Sequence, residues 1–222
     1  DHMASNTKQR QSTARSVDEW PSEPERQYAE RQADLAAYYD VAIDSRTLNT
    51  DSAGQVHYLV AGDPNGEPVV LLHGITVTAA TWLPMVPALA DEYRLYIPDR
   101  PGRGLSAAPS YRDRDLRPFL VDYLCELCDE LNLDRPHVVG NSFGGLQALL
   151  LAIDRDRVDR LCLVGAPAGV STEFSLAWRL LTVRGVNRLL LWLETRGDPV
   201  ENARRAATER LVVDESTIPT NF

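Results

Sequence analysis

The sequence predicts an α/β domain built on a mostly parallel, doubly wound sheet, and three observations carry that expectation. Beyond residue 67, short apolar runs alternate with stretches of helical period, in the order β-α-β-α-β-α-β. Pro68-Val69-Val70-Leu71-Leu72 is a continuous apolar run, as a strand buried on both faces requires. Residues 136–152 read PHVVGNSFGGLQALLLA, a β-branched run that enters a G-x-S-x-G turn and leaves it as an apolar helical pattern.

Size and composition bound the reading. A chain of 222 residues can bury one sizeable α/β core, alone or with part of a second domain. Hydrophobic residues make up 44%, as in a globular protein, and no apolar run reaches membrane-spanning length. No signal peptide is read at the start. The formal charge of −9 argues against nucleic acid or an anionic membrane as partner. Three cysteines make no disulfide framework in a chain of this size. Cys125 and Cys128 form C-x-x-C inside the apolar helical pattern FLVDYLCELCDEL. A redox pair needs a helix N-terminus and a zinc site needs two further ligands, so two small apolar residues on a buried helix face is the preferred reading. The expectation is a cytoplasmic protein with no metal and no cofactor, whose partner is a small molecule and which could form a homodimer.

Taken in order, Asp1-His2-Met3 reads as a cloning scar, and residues 4 to about 19 as polar, low in apolar content and flexible. Ser22-x-x-Glu25 with Pro24 marks a helix start, and Tyr28, Leu35 and Tyr39 recur at helical spacing. Residues 4–40 are therefore a polar arm containing a helix. Strand-like segments at 41–49 and 55–61 are joined by the turn Asp51-Ser52-Ala53-Gly54, and Asp63-Pro64-Asn65-Gly66 turns into the buried run. A helix near 81–91 precedes a strand at Leu95-Tyr96-Ile97, and a long helix covers 113–132. The strand and helix around Ser142 follow, then a strand at Leu161-Cys162-Leu163-Val164. From Ser171 the pattern is helical without a strand signal, with a second helix at 199–213, which reads as a cap over the carboxyl ends of the strands.

G-x-S-x-G between a strand and a helix is the pattern of a nucleophile elbow. The hydroxyl of Ser142 must project from a tight turn, and Gly140 and Gly144 keep Cβ atoms out of the crowded crossing of strand and helix. The helix that follows aims backbone N–H groups and its positive end at the place where an oxyanion would form. Gly102-Arg103-Gly104-Leu105-Ser106-Ala107 also matches a dinucleotide fingerprint, but Ala108-Pro109-Ser110 follows where the phosphate-binding helix should begin. Its glycines suit a tight turn instead, with Ser106 a turn residue and Arg100 and Arg103 structural or surface groups.

Three motifs stand in register: His73-Gly74 after the buried strand, DRPGRGLS at 99–106 after the next, and GNSFGG at 140–145. Together they resemble the α/β-hydrolase fold family over residues 41–170, and residues 171–222 resemble the cap of its capped members more loosely. The resemblance implies a serine-dependent hydrolase acting on ester-like acyl substrates through an acyl-enzyme at Ser142. It implies oxyanion donors at the Phe143 and Ile75 backbone N–H groups, with His73 and Gly74 shaping the oxyanion loop. Alternatives within the fold are a carbon–carbon bond hydrolase, a cofactor-free perhydrolase or haloperoxidase, and a non-catalytic ligand binder. A serine at the elbow argues against haloalkane dehalogenases and epoxide hydrolases, which place aspartate there.

The family's triad runs Ser, then Asp, then His, on loops after later strands. No histidine follows Ser142, and His2, His57, His73 and His137 are poor candidates for the base, with His57 and His137 placed away from the site. Glu173, Glu194 and Asp198 are weak candidates for the acid. The expectation is an incomplete cap at 171–222, missing C-terminal strands, and an acid and base beyond Phe222. The 222-residue chain alone is then expected to be nearly inactive.

Overall fold

The computed structural model describes residues 12–112 and 114–166. The readings of residues 1–11 and of the cap, including Glu173, Glu194 and Asp198, lie outside the described residues.

Among the described residues, seven strands form one sheet. They are β1 (Thr13–Ala14), β2 (Asp44–Thr50), β3 (Gly54–Gly62), β4 (Glu67–Leu72), β5 (Tyr93–Pro98), β6 (His137–Asn141) and β7 (Leu161–Val164). Their spatial order is β1-β2-β3-β5-β4-β6-β7. The pairings β5-β4, β4-β6 and β6-β7 are parallel, as the alternating pattern predicts, whereas β1-β2, β2-β3 and β3-β5 are antiparallel. The sheet is therefore mixed. The hairpin and β1 extend the parallel half, which carries the alternation of strands and helices.

The helices are α1 (Glu23–Tyr38), α2 (Leu116–Glu130) and α3 (Phe143–Arg155). The start of α1 is the expected capping box: the Ser22 side chain accepts from Glu25 N–H, and Ser22 N–H donates to Glu25 Oε2 at 2.9 Å. Helix α2 begins later than expected because the Asp115 carboxylate caps it, accepting from Arg117 N–H. The helix expected near 81–91 is a 3₁₀ segment at Ala79–Ala88. Pro84 and Pro87 lie inside it, and each lacks the N–H that an α-helical ladder needs.

The N-terminal arm differs from expectation within its described part. Thr13 and Ala14 pair with Thr47 and Arg46 on β2, and Trp20 is 2% exposed in a small cluster with Ala29 and Leu105. Two aromatic or apolar anchors and a short edge pairing are enough to order a segment whose composition is polar.

Strand alternation divides the core in two. Val70 and Leu72 of β4 point into a cluster with Tyr123, Leu124 and Leu127 of α2 and Ala148 and Leu151 of α3. Val69 and Leu71 point to the opposite face, against Ala36 of α1 and Trp82, Leu83 and Val86 of the 3₁₀ segment. The continuous apolar run at 68–72 is the signature of this two-sided burial. Cys128 belongs to the first cluster at 1% exposure, and burial pushes its thiol up to about 12. A thiol held in that form has the character of a small apolar core residue.

Leu124 is fully buried between α2 and the sheet, while Ile153 on α3 is 64% exposed. Leu124→Ala is expected to cost about 2–5 kcal/mol in urea unfolding and Ile153→Ala less than about 0.5 kcal/mol, a contrast that checks which face of each helix is inside.

Candidate active site

The three motifs meet at the carboxyl ends of neighbouring strands. His73 follows β4, Asp99 follows β5 and Ser142 follows β6, the edge at which α/β sheets place their ligands.

Ser142 is the sharp point of the elbow. Its backbone has φ 50° and ψ −117°, a left-handed conformation that an L side chain adopts only under constraint. The constraint is visible on both sides. Ser142 N–H donates to Val164 O on β7 at 2.9 Å, and its carbonyl accepts from Gly145 N–H at 3.0 Å as α3 begins. A Cβ on Gly144 would lie 2.2 Å from Leu72 O, and one on Gly140 would lie 2.5 Å from Gly144 O. Only glycine permits that approach of α3 to β4 and β6.

The loop that carries His73 and Gly74 lies against this turn. A Cβ on Gly74 would sit 3.6 Å from Ser142 Cβ and 3.2 Å from Asn141 Oδ1. The structure therefore brings Ser142, Phe143, Gly74 and His73 together, with Ile75 at the outer side of the loop. Phe143 is the first residue of α3, so its N–H has no acceptor within the helix.

His73 is 2% exposed and bonded through both ring nitrogens. Arg100 N–H donates to Nε2 at 2.9 Å, which leaves Nδ1–H to donate to Gly74 O at 2.7 Å. Burial lowers its pKa from the ordinary value, outweighing the Gly74 carbonyl and the Asp99 charge, which act in the opposite direction. The ring is neutral, and both nitrogens are committed to holding the loop.

Beneath the loop, Asp99 is fully buried and gathers three chain segments. Oδ1 accepts from Ala79 N–H at 2.8 Å; Oδ2 accepts from Leu105 N–H at 3.1 Å and pairs with His57 Nδ1 at 2.7 Å. His57 Nε2 meets Ser45 Oγ at 3.0 Å. Burial alone would raise the Asp99 pKa, but the His57 hydrogen bond and charge, with the Ala79 and Leu105 N–H groups, outweigh it and hold the carboxyl low. Ser106, read as a turn residue, is also part of this knot: its hydroxyl donates to Asp99 O at 2.7 Å and accepts from His57 N–H at 2.9 Å.

Sequence reasoning placed His57 in the hairpin, and there it is, yet its link to Asp99 across 42 residues carries no local signal. Arg100, read as a structural or surface group, is 9% exposed and reaches into the site. His137 lies at the amino end of β6 against Glu67 and Asp159, remote from the carboxyl edge. Among the described residues, no histidine offers a free nitrogen to Ser142.

A cavity of about 410 Å³ opens beside the elbow, lined by Ile75, Arg100, Tyr111, Leu116, Leu120 and Phe143 among others. Its walls are mainly apolar, with the arginine at one side, which suits a small organic molecule carrying a few polar groups.

Residues 67–211 match the alpha/beta hydrolase fold family. The chain belongs to that family. It is 42% identical over 114 residues to a 2-hydroxy-6-oxo-2,4-heptadienoate hydrolase of Pseudomonas putida, covering 50% of this chain and 41% of the relative. It is 26% identical over 145 residues to an uncharacterised carboxylesterase of Bacillus subtilis, covering 63% and 48%. Among solved structures, a carboxylesterase of Bacillus subtilis superposes with a TM-score of 0.63 at 20% identity, covering 72% of this chain and 55% of the other, a likeness of fold. The match to the curated relatives spans between about a third and a half of their length. Among the described residues, no helix is long and apolar enough to cross a membrane.

Two measurements check this geometry. Because the left-handed backbone at position 142 strains any side chain, Ser142→Gly is expected to be more stable than Ser142→Ala by about 1 kcal/mol, the reverse of the usual order. The depressed pKa of His73 makes its contribution complete above its ordinary value of 6.5 and lost as pH falls through the folded-state value. Between about pH 7 and pH 5, the wild-type protein is therefore expected to lose more unfolding free energy than His73→Gln.

Proposed function

We propose that the protein is a serine-dependent hydrolase of small ester-like acyl substrates, working through an acyl-enzyme on Ser142. The observation that carries this reading is the left-handed Ser142 at the junction of β6 and α3, with the oxyanion loop against it. A strained serine at a strand–helix turn has no structural advantage; its use is to present Oγ above the sheet.

In this mechanism Ser142 Oγ attacks the substrate carbonyl carbon and gives up its proton to a base. The carbonyl oxygen becomes an oxyanion that accepts from the Phe143 and Ile75 N–H groups. Collapse of the tetrahedral intermediate breaks the bond to the leaving alcohol, which takes the proton, and water then releases the acid by the same steps in reverse order. Each backbone donor contributes about 3 kcal/mol to stabilising the oxyanion in comparable sites. His57 and His73 are both committed to structural bonds, so this reading requires an acid and a base from outside the described residues.

A carbon–carbon bond hydrolase is the second reading, favoured by the 42% identity to the heptadienoate hydrolase. Both readings use the same elbow and oxyanion donors and differ in the bond broken.

The test is labelling with a fluorophosphonate in the protein expressed from its complete reading frame. The expected outcome is one adduct, mapped to Ser142 and absent in Ser142→Ala, together with turnover of p-nitrophenyl esters. Turnover of a 2-hydroxy-6-oxo-dienoate with negligible esterase activity would favour the second reading, and no adduct with no turnover would leave a ligand-binding member of the fold.

A further inference from the structure

The oxyanion loop is an exposed segment: Ile75, Thr76 and Val77 are all open to solvent. A catalytic donor on such a loop needs external restraint, because a donor misplaced by about 1 Å can cost a hundredfold in rate. The restraint on one side is evident. The peptide unit joining Gly74 to Ile75 carries the Ile75 N–H, and its carbonyl, Gly74 O, accepts from His73 Nδ1.

The restraint on the other side comes from Arg100. Its Nη2 donates to Ile75 O at 3.0 Å, and among the described residues this is the side-chain hydrogen bond that reaches residues 75–77. The same guanidinium lies over the Phe143 ring, with Cζ 5.1 Å from the ring centroid. The backbone N–H of Arg100 is also the donor that fixes His73 Nε2. One residue thus touches both residues that carry the oxyanion donors, and in addition the histidine that holds the peptide unit between them.

The energetics argue against a purely structural role. Arg100 is 9% exposed, its Nε has no hydrogen-bond partner, and no carboxylate among the described residues pairs with it. A largely buried guanidinium without a carboxylate partner is an expensive way to fill space, and replacing such a group by an apolar side chain of similar volume is often neutral or stabilising. What an apolar side chain would lack is the planar fork, which can donate to a carbonyl while its face stacks on a ring.

We propose that Arg100 is a positioning residue that sets the spacing between the Ile75 and Phe143 N–H donors by clamping the oxyanion loop to the first turn of α3. The inference rests on the serine-hydrolase reading of Ser142. It assigns to this chain's own arginine a task that the backbone donors cannot perform for themselves. Its effect belongs to the transition state, where the oxyanion exists, and hardly at all to substrate binding.

The test compares wild-type protein from the complete reading frame with Arg100→Met and Arg100→Lys. Four quantities are measured: kcat and KM for a p-nitrophenyl ester, the inhibition constant of phenylboronic acid, the end-point fraction labelled by fluorophosphonate, and Tm. Arg100→Met is expected to lower kcat by about ten- to a hundredfold per labelled site, with KM within about threefold. The boronate, whose tetrahedral adduct uses the same donors, should weaken by a similar factor. Arg100→Lys can still donate to Ile75 O and should recover part of the loss. Kcat per labelled site and boronate affinity within about twofold of wild type in Arg100→Met would overturn the proposal. So would a loss of activity that merely tracks the labelled fraction or is unrelieved in Arg100→Lys, since either reports folding alone. If wild-type protein neither labels nor turns over, the serine-hydrolase reading fails and this proposal with it; if wild type reacts normally and Arg100→Met does too, the positioning role alone fails.

Discussion

The buried Asp99 carboxylate is the interaction on which the rest of the site depends. Its two oxygens are reached by the start of the 3₁₀ segment, the glycine-rich turn and the imidazole of the hairpin histidine, and its own backbone carbonyl holds Ser106. The Ala79 and Leu105 N–H groups would otherwise be buried without an acceptor, and a desolvated carboxylate needs donors as much as they need an acceptor. Because the residue after Asp99 is the one that bonds His73, the knot also fixes where the His73-Gly74 loop leaves the sheet. Structural charge and candidate chemistry are neighbours in the chain here, and the first supports the second.

Above that knot, restraint passes upward in layers. The two-sided core holds β4 rigid, the end of β4 carries His73 and Gly74, and the close packing of α3 on β4 forces Ser142 into its left-handed turn. The strain at Ser142 is offset by the packing of a whole helix, so the elbow does not need to be stable in isolation. The hydrolase reading and the positioning role of Arg100 use the same economy. Groups that face the substrate are few, and groups that keep them in place reach deep into the fold.

How much of this was legible in the sequence follows from how local each feature is. The elbow could be read because strand, glycines, serine and helix lie within 17 residues and each constrains the next. The buried run at 68–72 announced burial on both faces because both alternating sets are apolar. The segment at 79–88 misled because its apolar spacing is helical, while Pro84 and Pro87 decide for the tighter 3₁₀ form. Strand β1 was invisible because two residues of edge pairing leave no periodicity. The bond between His57 and Asp99, and the reach of Arg100 to Ile75 and Phe143, depend on strand order and loop height, which no spacing rule encodes.

The placement of every candidate group at the strand ends has an evolutionary consequence. Neither hydrophobic cluster includes Ser142, Ile75 or His73, although Leu120 of the cavity wall belongs to the first, and Tyr111 and Phe143 pack against it. Substitutions at strand-end positions outside the clusters, such as Ile75, can therefore accumulate with little effect on the packing that stabilises the domain, and the chemistry of the site can change between descendants of one scaffold. A relative named as a heptadienoate hydrolase and another named as a carboxylesterase are the outcome such a division of labour would produce.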